Sequence, residues 1–198
     1  SYALGLAGFF TLFADIGLSS ILTRDASREP QKATTYLATS FWLKIILLII
    51  TTLLIVFVAP RFSNIESANM LLYFVAVLTI FDNFREFFNS FFRAQEKMEL
   101  EALINVGMNI AIAVIGAIVL YFSQTAKAVT ISYVASAGVG FVIAGFILRQ
   151  QLEKIFSAFD AKLIRPTLTA ALPVSVVGFL GVFMLNIDVV ILGWFRTA

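Results

Sequence analysis

Six apolar runs of bilayer-spanning length recur along this chain, and only short polar loops separate them. They extend roughly from Ala3 to Leu22, Tyr36 to Ala59, Ala68 to Phe92, Leu103 to Ser123, Lys127 to Leu148 and Thr167 to Phe195. A helix needs about 20 mainly apolar residues to cross about 30 Å of hydrocarbon, and each run meets that length. The runs are unbroken, as from Ile45 to Val58, and lack the alternation of a lipid-facing barrel strand, so the spans are read as helices. The expected fold is an all-α membrane protein, a polytopic bundle of six transmembrane helices. A composition of 60% hydrophobic and 13% charged residues would aggregate in water, so lipid must take the surplus apolar surface.

The chain has no cysteine and no histidine. That removes disulfides, thiolate and imidazole metal sites, and Ser-His or Cys-His catalysis. The protein is therefore expected not to be an enzyme, to hold no metal or cofactor and to bind no nucleic acid.

Lys and Arg alternate between loops. Arg24, Arg28 and Lys32 follow the first span, Arg61 the second, Arg93 and Lys97 the third, Lys127 the fourth, and Arg149, Lys154, Lys162 and Arg165 the fifth. The positive-inside rule then puts the first, third and fifth loops in the cytoplasm and both chain ends outside. Residue Ser1 is not an initiating Met and no basic region precedes the first span, so that span is not read as a signal peptide and the chain reads as a piece of a longer protein. In the fifth loop Leu152, Ile155, Phe156, Phe159 and Leu163 recur at helical spacing among charges. Two readings compete there, an amphipathic helix in the cytoplasmic interface and a solvated connector.

Ionisable groups inside spans are costly unless they meet a partner or a cavity, so Asp15, Lys44, Asp82, Arg85, Glu86 and Asp188 are the candidate functional residues. At about 1.5 Å per residue, Asp15 and Lys44 each lie roughly 13 Å inside the cytoplasmic boundary, and Arg85 and Glu86 roughly 10 to 12 Å. One depth on three helices suggests a shared polar chamber. Asp82, Glu86, Asn89 and Arg93 share one face of the third span, while Phe81, Phe84, Phe87, Phe88, Phe91 and Phe92 cover the rest. A structural reading stands beside the functional one: Asp82 with Arg85, or Glu86 with Lys44, as ion pairs that join helices, and Lys44 taken singly as a snorkelling side chain. The stripe Ser132, Ser136, Gly140 and Ala144 reads as close helix packing. Asn105 and Asn109 are either interhelical glue or cavity lining. Asp188 falls near the outer end of a long sixth span that contains Pro173, and is either interfacial or cavity-lining.

Three segments carry a family resemblance. The run YALGLAGFFTLFADIGLSSILTR from Tyr2 to Arg24 resembles the second helix of bacterial polysaccharide and O-antigen flippases of the Wzx type. FFRAQEKMELEALINVGMNI, Phe91 to Ile110, is similar to that family's connection between fourth and fifth helices, and LPVSVVGFLGVFMLNIDVVILGWF, Leu172 to Phe195, to its seventh. The resemblance implies helices two to seven of a two-lobed transporter of twelve to fourteen helices, in the superfamily that includes lipid II flippases and drug and toxin extruders. Residues 1–148 would be helices two to six of the N-terminal lobe, 149–166 a cytoplasmic amphipathic linker, and 167–198 the first helix of the C-terminal lobe. Asp15, Arg24 and Arg28 would carry over onto the second helix and its cytoplasmic edge.

The implied function is translocation of an undecaprenyl-pyrophosphate-linked oligosaccharide across the bacterial cytoplasmic membrane. A pyrophosphate cannot cross hydrocarbon unscreened, so Arg85 and Lys44, with Arg24, Arg28 and Arg93 at the entrance, are the expected phosphate contacts. Asp15, Asp82, Glu86 and Asp188 are expected to bind a coupling Na+ or H+ or to hold the cations. Membrane lipid, a polysaccharide polymerase and glycosyltransferases are the other expected partners. The alternatives are a cation-coupled multidrug antiporter with an aromatic-lined, carboxylate-dominated chamber, a lipid II flippase, or a scaffold whose ion pairs serve assembly alone.

Overall fold

A computed structural model describes the backbone of residues 14–58, 66–122 and 125–195, and their side chains except 58, 66–72, 126–127, 182–183 and 185–195. The regular structure among the described residues is all helical, in the order α1 (Leu18–Arg28), a 3-10 turn at Pro30–Lys32, α2 (Ala33–Leu53) ending in a π-helical turn at Leu54–Val58, α3 (Glu66–Ala94), α4 (Met98–Phe122), α5 (Ala126–Ile147), α6 (Arg149–Leu152), a 3-10 turn at Ala161–Leu163 and α7 (Ile164–Phe195).

Four of these helical stretches, Pro30–Phe57, Met98–Phe122, Ala128–Ile147 and Ala161–Gly181, are long and apolar enough to cross a membrane. Along α4 Leu103, Val106, Ile110, Val114 and Ile118 form one exposed stripe, an apolar face that only lipid or a partner can cover. The protein is membrane-embedded. The third expected span is a single 29-residue helix; the side chains of its first seven residues are not described, and over the described remainder Asp82, Arg85 and Glu86 interrupt the apolar run, so it is not one of the four. Most of the first expected span, residues 3–13, lies outside the described residues.

The part of that first span that is described is not one continuous helix. Ala14 and Asp15 are helical, Ile16 and Gly17 take positive φ values of 46° and 72°, and α1 restarts at Leu18 and runs on to Arg28. Left-handed backbone costs an L-residue about 1–2 kcal/mol, which is why a glycine stands at one of the two positions. Gly17 is also where α1 meets α7: a Cβ there would lie 2.7 Å from Val174 Cγ1 and 3.2 Å from the Ala171 carbonyl.

α3 is the central helix, packed against α1 and α5, with α4 laid on α5 and both α2 and α7 touching α1. Leu22, Leu37, Phe87, Phe88, Phe91, Phe92, Ile104 and Leu148 form the core where the ends of α1 to α5 converge. The phenylalanines of α3 are therefore packing residues. Phe87, Phe88, Phe91 and Phe92 are all enclosed; Phe88 stacks on Phe141 of α5 and Phe84 meets the same ring at a tilt.

The turn from α3 to α4 is closed without glycine. Glu96 takes φ 59°, its N–H donates to the Arg93 carbonyl at 3.0 Å, and the Lys97 N–H donates to the Phe92 carbonyl at 3.0 Å. This paired bonding satisfies the last carbonyls of α3 and folds α4 back sharply.

The connector after α5 is not the amphipathic helix expected from its spacing. α6 has only 4 residues. Beyond it the N–H groups of Lys154 and Ile155 donate three residues back, to Gln151 and Leu152, so the chain tightens into turns. Tertiary contacts explain the departure. The Asp160 N–H donates to Thr39 Oγ1 at 3.3 Å, Phe156 meets Trp42 edge-on at 5.4 Å, and Ile155 is buried.

Candidate functional site

Breaking the helix beneath Asp15 leaves the first N–H groups of α1 without intrahelical partners. The Asp15 carboxylate meets this need: its Oδ1 accepts from the Ser19 N–H at 3.3 Å and from Ser19 Oγ at 2.7 Å. The same oxygen accepts from Lys44 Nζ of α2 at 2.7 Å, and Lys44 donates a second bond to Asn83 Oδ1 of α3 at 3.1 Å. Asn83 is held in turn by its own donation to the Thr79 carbonyl, 2.9 Å away. Three helices are thus tied at one point.

The two ions of this pair differ in access. Lys44 is 0% exposed, so it does not snorkel to an interface. The Asp15 side chain keeps 34% of its surface open. It opens into a cleft of about 230 Å³ between α1 and α7, lined by Asp15, Gly17, Ser20, Val174, Ser175 and Gly178. A carboxylate reachable from a cleft with an enclosed cation behind it is the arrangement in which polar groups at membrane depth face a cavity.

Arg85 belongs to a different cluster. Its Nη1 donates to Asn105 Oδ1 of α4 at 2.6 Å and its Nη2 to Asp82 Oδ1 at 3.3 Å, while Asn89 donates to the same Asn105 oxygen at 3.4 Å. The stem of Arg85 runs across α5 at Gly140, where an added Cβ would stand 3.0 Å from Arg85 Cδ. Gly140 therefore makes room for an arginine as well as for a close helix. Lys44 of α2 joins Asp15 to Asn83 on one face of α3, and Arg85 bonds Asn105 of α4 and lies against α5 on another, so the chamber expected from equal depth divides into two clusters. Arg85 Nε and Asn89 Oδ1 have no partner among the described residues, each at a cost of about 1–3 kcal/mol unless water reaches it.

A third group closes the α3–α4 turn. Arg93 Nε donates to Glu101 Oε2 at 2.8 Å, and its Nη2 meets both Glu101 Oε1 and Glu86 Oε1, the latter at 2.8 Å. The Glu101 bonds and the Glu86 charge hold the Arg93 guanidinium well above its ordinary pKa, against the opposing effect of desolvation. Glu86 is thus the partner of Arg93 and not of Lys44, whereas Asp82 does pair with Arg85. Arg24 bonds its neighbour Asp25 at 2.7 Å at the exposed end of α1, and Arg28 is exposed. The backbone of Asp188 lies in α7, and its side chain falls outside the described residues. Among the described residues no group of acidic side chains could hold a metal ion.

Sequence reasoning did not find Ser19, Asn83 or Glu101. Asn83 lies one turn from Thr79 and beside Asp82, a polar spacing that could have marked it. Glu101 becomes visible as a partner for Arg93 only once the turn at Glu96 is known.

Residues 1–198 match the family model described as polysaccharide biosynthesis protein. The chain belongs to that family. No curated protein and no solved structure gives a significant match.

A charge-neutral replacement tests the Arg85 cluster. Arg85→Ala alone should lower stability by about 1–3 kcal/mol by leaving Asp82, whose side chain is 38% exposed, without its cation. Arg85→Ala with Asp82→Asn should recover thermal stability in detergent, and a double variant no more stable than Arg85→Ala would contradict the ion-pair account.

Proposed function

We propose that this chain is part of a flippase that moves a polyprenyl-pyrophosphate-linked oligosaccharide, an O-antigen or other surface-polysaccharide repeat unit, across the bacterial cytoplasmic membrane by alternating access. The reading extends to a six-span segment of a two-lobed transporter, with residues 149–166 joining the lobes. No bond is made or broken in the glycan. The observation that carries the reading is the α1–α7 cleft, where Asp15 is open and Lys44 is enclosed directly behind it. A pyrophosphate entering the cleft would compete with Asp15 for the Lys44 ammonium, and the displaced carboxylate would be free to take a proton or Na+. Substrate and coupling ion would then occupy one switchable pair, which suits rocking of one lobe against the other about a fixed site.

The multidrug antiporter reading asks for aromatic rings around the chamber. The rings of α3 sit in the core instead, and the cleft is lined by Asp15, Ile16, Val174, two serines and two glycines, none of them aromatic. That composition favours a polar head group over a flat apolar drug.

Proteoliposomes containing the full-length protein and a fluorescent lipid-linked oligosaccharide test the proposal. Protein-dependent movement of the fluorophore to a quencher-protected leaflet is expected, and its absence, with drug extrusion present, would overturn the reading. Orientation is tested separately in the cysteine-free chain. Arg28→Cys, Lys97→Cys and Lys154→Cys should resist an impermeant thiol reagent in intact cells, whereas Phe122→Cys should react. Reaction at position 97 or 154 before lysis would reverse the topology.

A further inference from the structure

A second cavity of about 370 Å³ lies apart from the cleft, between α2 and the connector, lined by Trp42, Leu43, Ile46, Phe156, Phe159 and Ile164. We propose that this groove holds the isoprenoid tail of the lipid carrier next to its phosphate, an inference that rests on the flippase reading.

The groove exists because the connector is not helical. Thr39 and Asp160 bond the two walls together at one end, and Phe156 leans on Trp42 at 5.4 Å. Between these ties the walls stay apart. The two connector rings remain exposed, Phe156 at 80% and Phe159 at 42%, which is costly unless something apolar covers them.

Three observations favour a hydrocarbon chain as that cover. First, the groove is continuous with the apolar outer face of α2, where Ile46, Ile49, Ile50 and Leu53 are exposed on a stretch long enough to span the membrane, so a lipid tail reaches it without leaving the bilayer. Second, size argues against a helix. At a diameter of about 10 Å and a pitch of 5.4 Å, one helical turn occupies roughly 420 Å³, so the groove's empty space of about 690 Å³, open side included, takes fewer than two turns. Helix-in-groove docking needs anchors spread over several turns, whereas a flexible branched chain needs only a short slot. Third, the segment that walls the groove carries Arg149, Lys154, Lys162 and Arg165 against Glu153 and Asp160, an excess of positive charge where a tail would end in a phosphate. Ordinary phospholipid shares the hydrocarbon but not the methyl-branched chain, which can lay its branches against Trp42 and Phe159.

The full-length protein in proteoliposomes is irradiated with a polyprenyl phosphate that bears a diazirine on its first isoprene units, and in parallel with phosphatidylglycerol that bears the same group on an acyl chain. The polyprenyl probe should label peptides containing Trp42 and Phe159. Unlabelled undecaprenyl phosphate should compete, equal phosphatidylglycerol should not, and Ile46→Trp, which fills the groove, should reduce labelling several-fold. Equal labelling by both probes, or labelling unchanged in Ile46→Trp, would overturn the proposal and leave the groove to bulk lipid. The flipping assay separates the two readings. Flipping without groove labelling rejects the tail site alone, and groove labelling without flipping rejects the transport function alone.

Discussion

Asp15→Ala is expected to destabilise the protein more than Lys44→Met, although the two residues form one ion pair. Removing Asp15 leaves an ammonium that is 0% exposed with Asn83 as its remaining hydrogen-bond partner, and an uncompensated buried charge costs about 3–5 kcal/mol. Removing Lys44 leaves a carboxylate that still accepts from Ser19 and is 34% open to the cleft, so roughly half that cost is expected. Combining Asp15→Ala with Lys44→Met should restore most of the stability, because no charge then remains unpaired. Export should not return, since the combination leaves the cleft with no enclosed cation for a pyrophosphate. Thermal unfolding in detergent followed by size exclusion reads the first quantity, and complementation of a glycan-export defect reads the second. A Lys44→Met protein less stable than Asp15→Ala would contradict the unequal burial on which the account rests.

Gly17→Ala should be the most damaging conservative change in the described chain. The added methyl must occupy a backbone at φ 72°, at about 1–2 kcal/mol, and must also displace Val174, whose Cγ1 and Cβ would lie 2.7 and 2.8 Å away. Overpacking of this kind costs about 1–3 kcal/mol more. The strain falls on the contact between α1 and α7, so export should fall further than membrane insertion. Val174→Gly removes both offending carbons and should restore part of the export in the double variant, leaving the backbone term and the 3.2 Å approach to the Ala171 carbonyl. No recovery would mean that the left-handed turn, and not the close approach, is what Gly17 provides.

The helices were legible in the sequence because apolar runs of that length have few alternatives in lipid. The equal depth of Asp15 and Lys44 was legible too, and the two are indeed bonded. What depth could not show was direction around a helix axis, so Arg85, at the same level, was assigned to the same chamber although it turns toward Asn105 and Gly140. Two backbone features escaped for different reasons. The break at Ile16 and Gly17 lies within an apolar run that also contains Gly5 and Gly8, and glycine alone does not say which position turns. The turn at Glu96 uses a residue type that rarely takes positive φ, so no local signal marks it. The connector's helical spacing was real, but Thr39 and Trp42, more than a hundred positions earlier, decide its conformation.

The Asp15–Lys44 pair also bears on how such a protein is made. The partners sit on separate segments, 29 positions apart, so they enter the membrane one after the other. A lone charge at the centre of a span costs about 2.5–3.5 kcal/mol during insertion, and the first segment emerges with its carboxylate and no ammonium to meet it. The Asp15 segment is therefore expected to linger beside the insertion machinery until Lys44 arrives, and the two to be released into lipid together as a hairpin. The ion pair would then set the order of biogenesis before it takes any part in transport.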